Sequence, residues 1–223
     1  MPGLFFCNSF SKVSFKTNIL AAYHSQNELN MQITDWSVFE MSSNKAKIKI
    51  SGYIGIPEDW QYDDDMADKI VSTKEKMSAE LEKIANLKSS VIEVEIDSFG
   101  GDINHGLAMY NALALNKAKI FVKYTGWSAS AATVIAAAGD EVSAPNNLCC
   151  LLHEARGIAF GKYNDFDEAS KNLKNINLIA AKIFSLKSTH TANGRPGPSG
   201  SLAHTHSWKS AEEWKDIGLI DNV

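Results

Sequence analysis

Between residues 47 and 152 the sequence alternates segments of β-strand periodicity with segments of helical character, and this alternation restricts the possible folds more than any other feature. Apolar residues at every second position, as in Ile92, Val94 and Ile96, predict half-buried strands. We predict strands at 47–55, 91–96, 120–124, 141–144 and 148–152, and turns at 97–101 and 126–130. We predict helices at 66–84, 104–115, 130–139 and 166–186, and a short closing helix whose start, Ser210 to Glu213, fits a capping box. Strands that alternate with helices are typical of an α/β fold.

The remaining features of the sequence set the limits of the domain and of its partners. Residues 1–45 lack clear periodicity and are predicted to form an N-terminal extension, whereas residues 46–223 are predicted to form one domain. The net charge is only −4, and no basic block of the kind that binds nucleic acid is present. The most apolar stretch, 129–138, is too short to cross a bilayer, and no secretory signal begins the chain. We therefore expect a cytoplasmic protein with no nucleic-acid or membrane partner.

Three short segments carry the residue types that amide hydrolysis requires, namely a nucleophile, a base and donors to an oxyanion. Ser130 lies among small residues at a predicted strand-to-helix junction. Gly100 and Gly101 follow a strand and precede a helix, where paired glycines can expose backbone N–H groups. His153 ends an apolar strand, and an unperturbed imidazole pKa of about 6.5 suits a general base at neutral pH. Each feature alone is more often structural, but their combination indicates an acyl-transfer site.

Four motifs in this order resemble those of the ClpP family of serine peptidases. They are Asp-Ser-Phe-Gly-Gly-Asp at 97–102, Gly-Trp-Ser-Ala-Ser-Ala-Ala at 126–132, Gly-Asp-Glu-Val-Ser-Ala-Pro-Asn-Asn at 139–147, and Leu-Leu-His at 151–153. The closing segment from Trp208 to Asp221 is similar to the end of the same family. The resemblance covers residues 46–223 and is greatest to the ClpP-related head-maturation proteases of bacteriophages and prophages.

The resemblance implies the roles of the site residues. Ser130 would be the nucleophile and His153 the general base of a serine endopeptidase. The backbone N–H groups of Gly101 and Ala131 would form the oxyanion hole. Gly100, together with Phe99 in place of the family's usual proline, would line the groove where substrate adds as a strand.

The resemblance also implies a fold and a set of partners. The fold would be of the ClpP/crotonase type, built from repeated β-β-α units, with the helix at 166–186 as a long protruding handle. We expect a homo-oligomer, as a ring, that acts on polypeptide substrates, with phage capsid or scaffold proteins as the narrower expectation. The cell would be bacterial or phage-infected. No cofactor and no metal ion is expected, and residues 1–45 do not resemble the loops by which ClpP docks an ATP-dependent unfoldase.

The sequence departs from the family at the third member of the catalytic triad. The family places an acid two residues before the aromatic residue found here as Trp208, and this sequence has His206 at that position. His206 could orient His153 through an imidazole nitrogen, as in the Ser-His-His site of herpesvirus assemblin-type proteases, and this interpretation is preferred. Alternatively, Ser130 and His153 form a dyad whose base is oriented by a carbonyl or a water molecule, or His206 is an exposed loop residue beside a weak site. Slow turnover is expected, because a neutral imidazole stabilises an imidazolium less than a carboxylate does.

Other functions stay open at this point. A crotonase-type acyl-CoA enzyme shares the fold and the paired N–H groups, but such enzymes usually rely on a glutamate that is absent from the corresponding turns. A Ser-Lys peptidase would need a positioned lysine and usually a membrane segment. A catalytically weak or inactive assembly protein would keep the fold for ring formation alone.

Overall fold

The structure, a computed structural model, describes residues 35–42, 44–55, 81–189 and 207–223. Within these residues seven strands form one sheet. The strands are β1 (Asp35–Ser42), β2 (Lys45–Ile54), β3 (Val91–Gly101), β4 (Lys119–Ala129), β5 (Glu141–Ser143), β6 (Cys149–Leu152) and β7 (Ser207–Ser210). The helices are α1 (Ile103–Ala114), α2 (Ala131–Ala136), α3 (Tyr163–Thr189) and α4 (Ala211–Asp216), and residues 81–86 are also helical.

The centre of the sheet is parallel and its two edges are antiparallel. The strand order is β1-β2-β3-β4-β6-β7, and β5 pairs with another part of β4. The pairs β2–β3, β3–β4, β4–β5 and β4–β6 are parallel, whereas β1 is antiparallel to β2 and β7 is antiparallel to β6. The helices α1 and α2 provide the crossovers that parallel neighbours require.

The alternation in the sequence corresponds to the two faces of the sheet. Ile48, Val94 and Val122 lie opposite one another on β2, β3 and β4, and their side chains are buried. The neighbouring residues on the other face are charged except for Phe121, and Lys47 pairs with Glu95 at 2.7 Å. Burying one face against helices while the other carries paired charges explains the strict period of two.

The predicted α/β class is confirmed, as are strands at all five predicted positions. The prediction that 97–101 and 126–130 are turns was wrong except at Ser130, because β3 runs to Gly101 and β4 runs to Ala129. The register between β2 and β3 shifts between Ser51 and Tyr53, and parallel pairing then continues as far as Ile54 opposite Gly101. This pairing keeps the end of β3 in the sheet. The sequence analysis did not predict β7, and β1 lies within the segment assigned to the N-terminal extension. Of the helix predicted at 66–84, only its end lies within the described residues, and that end is helical.

The predicted handle helix is present and is longer than expected. It has 27 residues, Tyr163–Thr189, compared with the predicted 166–186. Ile183 and Phe184, near its carboxyl end, are buried, whereas residues 161–168 around its start are all exposed. Among the helices of the described segments, none is both long enough and apolar enough to cross a membrane.

Candidate active site

The predicted site residues lie at the carboxyl ends of three neighbouring parallel strands. Gly100 and Gly101 end β3, Ser130 directly follows β4, and His153 directly follows β6. The carboxyl ends of parallel strands lie along one edge of the sheet, which is where α/β proteins place their sites. Residues that are far apart in sequence are therefore gathered at one edge.

Ser130 has an unusual backbone conformation. Its φ is 57° and its ψ is −127°, and it is the only residue other than glycine with a positive φ in the part of the chain that the structure describes. The backbone is held there by its N–H, which donates to the Leu151 carbonyl at 2.9 Å, and by its carbonyl, which accepts from the Thr133 hydroxyl at 2.6 Å. The Ser130 hydroxyl makes no capping hydrogen bond to α2. A strained serine at a sharp strand-to-helix turn is a typical arrangement for an exposed nucleophile.

Gly100 lies directly against this serine. A Cβ atom added to Gly100 would be 2.6 Å from the Ser130 Cβ and 2.9 Å from the Ala131 nitrogen, and its φ of 87° also favours glycine. The Gly100 N–H donates to the Ser98 hydroxyl at 3.1 Å, and this hydroxyl donates to the Gly52 carbonyl. The structure thus brings Gly100, near the end of β3, into contact with the Ser130–Ala131 backbone.

The two predicted oxyanion donors come from different elements. Gly101 has a φ of 150°, and a Cβ atom there would overlap the backbone of Ile54 on β2, so no larger residue fits without a shift. Ala131 is the first residue of α2, where backbone N–H groups have no acceptor within the helix. The close approach of β2 therefore explains the glycine at position 101, and the start of α2 leaves the Ala131 N–H without an acceptor within the helix.

The register between β4 and β6 places His153 at the same edge of the sheet as Ser130. Ala129 lies opposite Leu151, so the positions that follow, Ser130 and Leu152, are neighbours, and His153 is one residue beyond. His153 is half-buried, and its Nδ1 lies 2.6 Å from the carbonyl oxygen of Glu154. Since a carbonyl can only accept, this contact assigns the proton to Nδ1 and leaves Nε2 as the basic nitrogen.

Helix α3 holds the chain that follows His153. Asn177 accepts a hydrogen bond from the Ala155 N–H at 2.8 Å through its side-chain oxygen. His153 lines a small pocket together with Leu152, Asn177, Ala180, Ala181 and Phe184. The handle helix therefore contributes to the immediate surroundings of the imidazole, a role that its amphipathic pattern did not indicate.

Phe99 belongs to an aromatic group that the sequence analysis did not predict. It stacks on Trp127 at 5.3 Å between ring centroids, and Trp127 meets Trp208 edge to face, also at 5.3 Å. All three are about half exposed. The sequence offered one indication of this group, since Trp127 and Trp208 both lie in segments that resemble the family. The two residues are far apart in the chain, and only the pairing of β4, β6 and β7 brings them together.

Two further observations bear on the chemistry of the site. Burial raises the pKa of the Cys150 thiol to about 12, so this thiol stays protonated at neutral pH and is no rival to Ser130 as nucleophile. Among the residues that the structure describes, no group of histidine, cysteine or acidic side chains could hold a metal ion. His206 lies outside the described residues, so each interpretation of the third triad member stays a prediction.

A strained serine, paired glycines and a histidine whose Nδ1 contacts a carbonyl oxygen, all at one edge of a parallel sheet, form the arrangement of a serine peptidase. Comparison with known proteins gives the family. The chain belongs to the Clp protease family, whose model matches residues 59–223.

Individual relatives agree with this assignment. The chain is 28% identical to the ATP-dependent Clp protease proteolytic subunit 1 of Salinibacter ruber over 60% of its own length and 57% of the relative's. It is 27% identical to the proteolytic subunit 3 of Rhizobium etli over 67% of its own length and 76% of the relative's. In fold it is similar to the ClpP1 N165D mutant from Listeria monocytogenes, with a TM-score of 0.55, 20% identity, and coverage of 79% of this chain and 89% of that one.

The predictions of a ClpP-like serine peptidase and of its α/β fold are confirmed by these matches. The particular closeness to the phage enzymes stays a prediction.

Proposed function

We propose that this chain is a serine endopeptidase that hydrolyses peptide bonds through an acyl-enzyme, with Ser130 as nucleophile and His153 as general base. One observation carries the proposal, namely the contact of Gly100 with the strained Ser130–Ala131 backbone, beside the strand end that delivers His153. A hydrolase of this kind needs those three parts within reach of one scissile carbonyl.

In the proposed mechanism, the Ser130 hydroxyl attacks the scissile carbonyl carbon while His153 Nε2 accepts its proton. The N–H groups of Gly101 and Ala131 stabilise the resulting oxyanion. His153 then donates the proton to the leaving amine, which departs and leaves an acyl-serine. Water attacks the acyl group with His153 again as base, and the free serine is restored.

The contact between His153 and the Glu154 carbonyl supports the dyad form of this mechanism. A hydrogen bond from Nδ1 fixes the tautomer and the ring orientation, which is the main task of the third triad residue. A carbonyl carries no full negative charge, so it stabilises the imidazolium less than an aspartate would. Turnover should therefore be slow, as it also should be if His206 supplied the third group.

Labelling with a fluorophosphonate tests the nucleophile. Wild-type protein should form a covalent adduct, and Ser130→Ala should form none while it keeps its fold. Ser128→Ala is the matched control, because Ser128 lies only two residues away and is fully buried, and it should label as the wild type does. Equal labelling of Ser130→Ala and wild type would show that the nucleophile is wrongly assigned, and no labelling of either would favour an inactive assembly protein.

The choice between dyad and triad is a second arm of the same experiment. If the Glu154 carbonyl is sufficient, His206→Ala should retain the labelling rate to within a few-fold, whereas His153→Ala should lose it. A loss with His206→Ala comparable to the loss with His153→Ala would instead assign the third role to His206. Both variants keep Ser130, so differences report on the base alone.

Narrower statements about partners belong to the same proposal. We infer that the chain forms a homo-oligomeric ring in the bacterial cytoplasm or in a phage-infected cell and acts on polypeptides, with capsid or scaffold precursors as substrates. The exposed apolar side chains along α3 support association, whereas the substrate class rests on the motif resemblance alone. We expect the wild type to cleave a scaffold protein faster than casein, and Ser130→Ala to cleave neither.

A further inference from the structure

A second histidine and a carboxylate form a pair directly after Gly101, outside the proposed triad. Asp102 Oδ1 lies 2.6 Å from Nδ1 of His105 and also accepts the His105 backbone N–H at 2.9 Å. Both side chains are mostly buried, with 13% of Asp102 and 17% of His105 exposed. Asp102 directly follows Gly101, and it is the N-cap residue of α1. The pair therefore fixes the chain at the junction between β3 and α1.

The pair is also attached to β2. The Asp102 N–H donates to the Ile54 carbonyl at 2.6 Å. The His105 ring packs against Gly55, where an added Cβ atom would be 2.5 Å from Nδ1. The imidazole thus fills the space beside the end of β2, and Gly55 leaves room for it. Both attachments are made by residues that closely follow Gly101 in the chain.

The first turn of α1 reaches from one proposed oxyanion donor to the other. Its start is joined to Gly101, and Gly106, one turn further along, packs on Ala131, where an added Cβ atom would be 3.0 Å from the Ala131 Cβ. A shift of this turn would change the distance between the Gly101 and Ala131 N–H groups.

Electrostatics strengthen the same pair. Burial raises the pKa of Asp102, but hydrogen bonds from the His105 ring and backbone outweigh this effect, so the pKa lies below its ordinary value. The carboxylate is therefore ionised at neutral pH and stays available as an acceptor for both donors.

We propose that Asp102 and His105 are positioning residues that hold Gly101 and Ala131, the two oxyanion donors, at the separation catalysis requires. This inference rests on the proposed function. Neither side chain has to contact the substrate. The two residues act on the oxyanion donors through the backbone at Gly101 and through the first turn of α1. Oxyanion donors act only when they are fixed in advance at hydrogen-bonding distance, so small displacements lower the rate steeply.

The test compares Asp102→Ala with loss of an equivalent cap elsewhere. Ser210→Ala removes the capping box of α4, which also joins a strand to a helix but lies outside the proposed machinery. Both variants should show a similar fall in Tm. At a temperature well below both transitions, Asp102→Ala should lower kcat for a fluorogenic peptide by about tenfold to a hundredfold with little change in KM. Ser210→Ala should leave kcat within about twofold, the range expected of a cap that touches no reacting group.

Two more variants separate positioning from general loss of stability. Asp102→Asn keeps the side-chain oxygen and is an equally good cap, so it should recover most of the activity lost in Asp102→Ala. His105→Ala should lower kcat even though the cap oxygen is still present. The inference is overturned if Asp102→Ala and His105→Ala behave as Ser210→Ala does while the wild type is active. If the wild type neither cleaves peptide nor reacts with the fluorophosphonate, the proposed function fails first, and this inference fails with it.

Discussion

At the scale of single residues, the structure concentrates unfavourable backbone geometry at the proposed nucleophile. Ser130 has a positive φ, and such a conformation costs a residue with a Cβ atom about 1–3 kcal/mol. The neighbouring Gly100 has a positive φ as well, but glycine adopts it without this cost. Among the residues that the structure describes, strain from a positive φ is therefore confined to the one residue whose side chain the proposed chemistry needs.

This distribution leads to a prediction for Ser130→Gly. Removal of the Cβ atom should relieve the strain and raise the free energy of unfolding by about 1 kcal/mol, while covalent labelling is lost. Ser128→Gly is the control, because Ser128 lies in β4 with no positive φ, and glycine there should lower stability. Urea unfolding of both variants measures the difference. If Ser130→Gly is destabilised as much as the control, the backbone at Ser130 is not strained.

At the scale of secondary-structure elements, a buried ion pair joins the end of α3 to the end of the chain. Lys187 donates to Asp221 at 2.8 Å and to the Gly139 carbonyl at 3.0 Å. Asp221 also accepts the Val142 N–H at 2.8 Å through the same oxygen. The Lys187 side chain is only 3% exposed, so its charge depends on these partners. The contact fixes the handle helix to the loop before β5 and to the last residues of the domain.

We predict that Lys187→Met destabilises the domain by about 3 kcal/mol, because one charge of a buried pair is left without its partner. Lys45→Met is the matched control, since Lys45 pairs with Glu93 at 2.6 Å but both side chains are about 40% exposed. This exposed pair should contribute at most about 0.5 kcal/mol. Equal effects of the two substitutions on urea unfolding would contradict a structural role for the buried pair.

At the scale of the whole molecule, the handle helix carries apolar side chains that the described residues do not cover. The exposed large apolar side chains on α3 are those of Tyr163, Phe166, Leu178, Ile179 and Leu186. A series of exposed large apolar side chains along one element is typical of a surface that associates with another chain. Since α3 also supplies Asn177 beside His153, association along the handle would affect the site as well as the assembly.

Replacing both Leu178 and Ile179 with lysine should therefore reduce the molecular mass in solution, measured by light scattering after gel filtration, and lower the rate of fluorophosphonate labelling. The control is Leu115→Lys, because Leu115 is 83% exposed at the end of α1 and is not part of the handle. An unchanged mass in the double variant would exclude α3 as the main contact between copies.

The sequence alone was sufficient for features that depend on neighbouring residues. The period of two in β2, β3 and β4 reports burial of one face, so their positions were predicted correctly. The cap of α4 is likewise local, because Ser210 and Glu213 satisfy each other's backbone within one turn. The site residues were predicted from short motifs whose resemblance to a family reflects the whole fold, a connection that periodicity alone could not supply.

Tertiary structure decided what depends on residues far apart in the chain. The ends of β3 and β4 looked like turns because they are rich in glycine and small residues, yet pairing with adjacent strands keeps them in the sheet. The approach of Gly100 to Ser130, the strain at Ser130 and the burial of Lys187 against Asp221 each need two or more segments to be packed together. Local composition records which conformations a segment tolerates, whereas packing selects one of them, and for this protein that selection forms the candidate site.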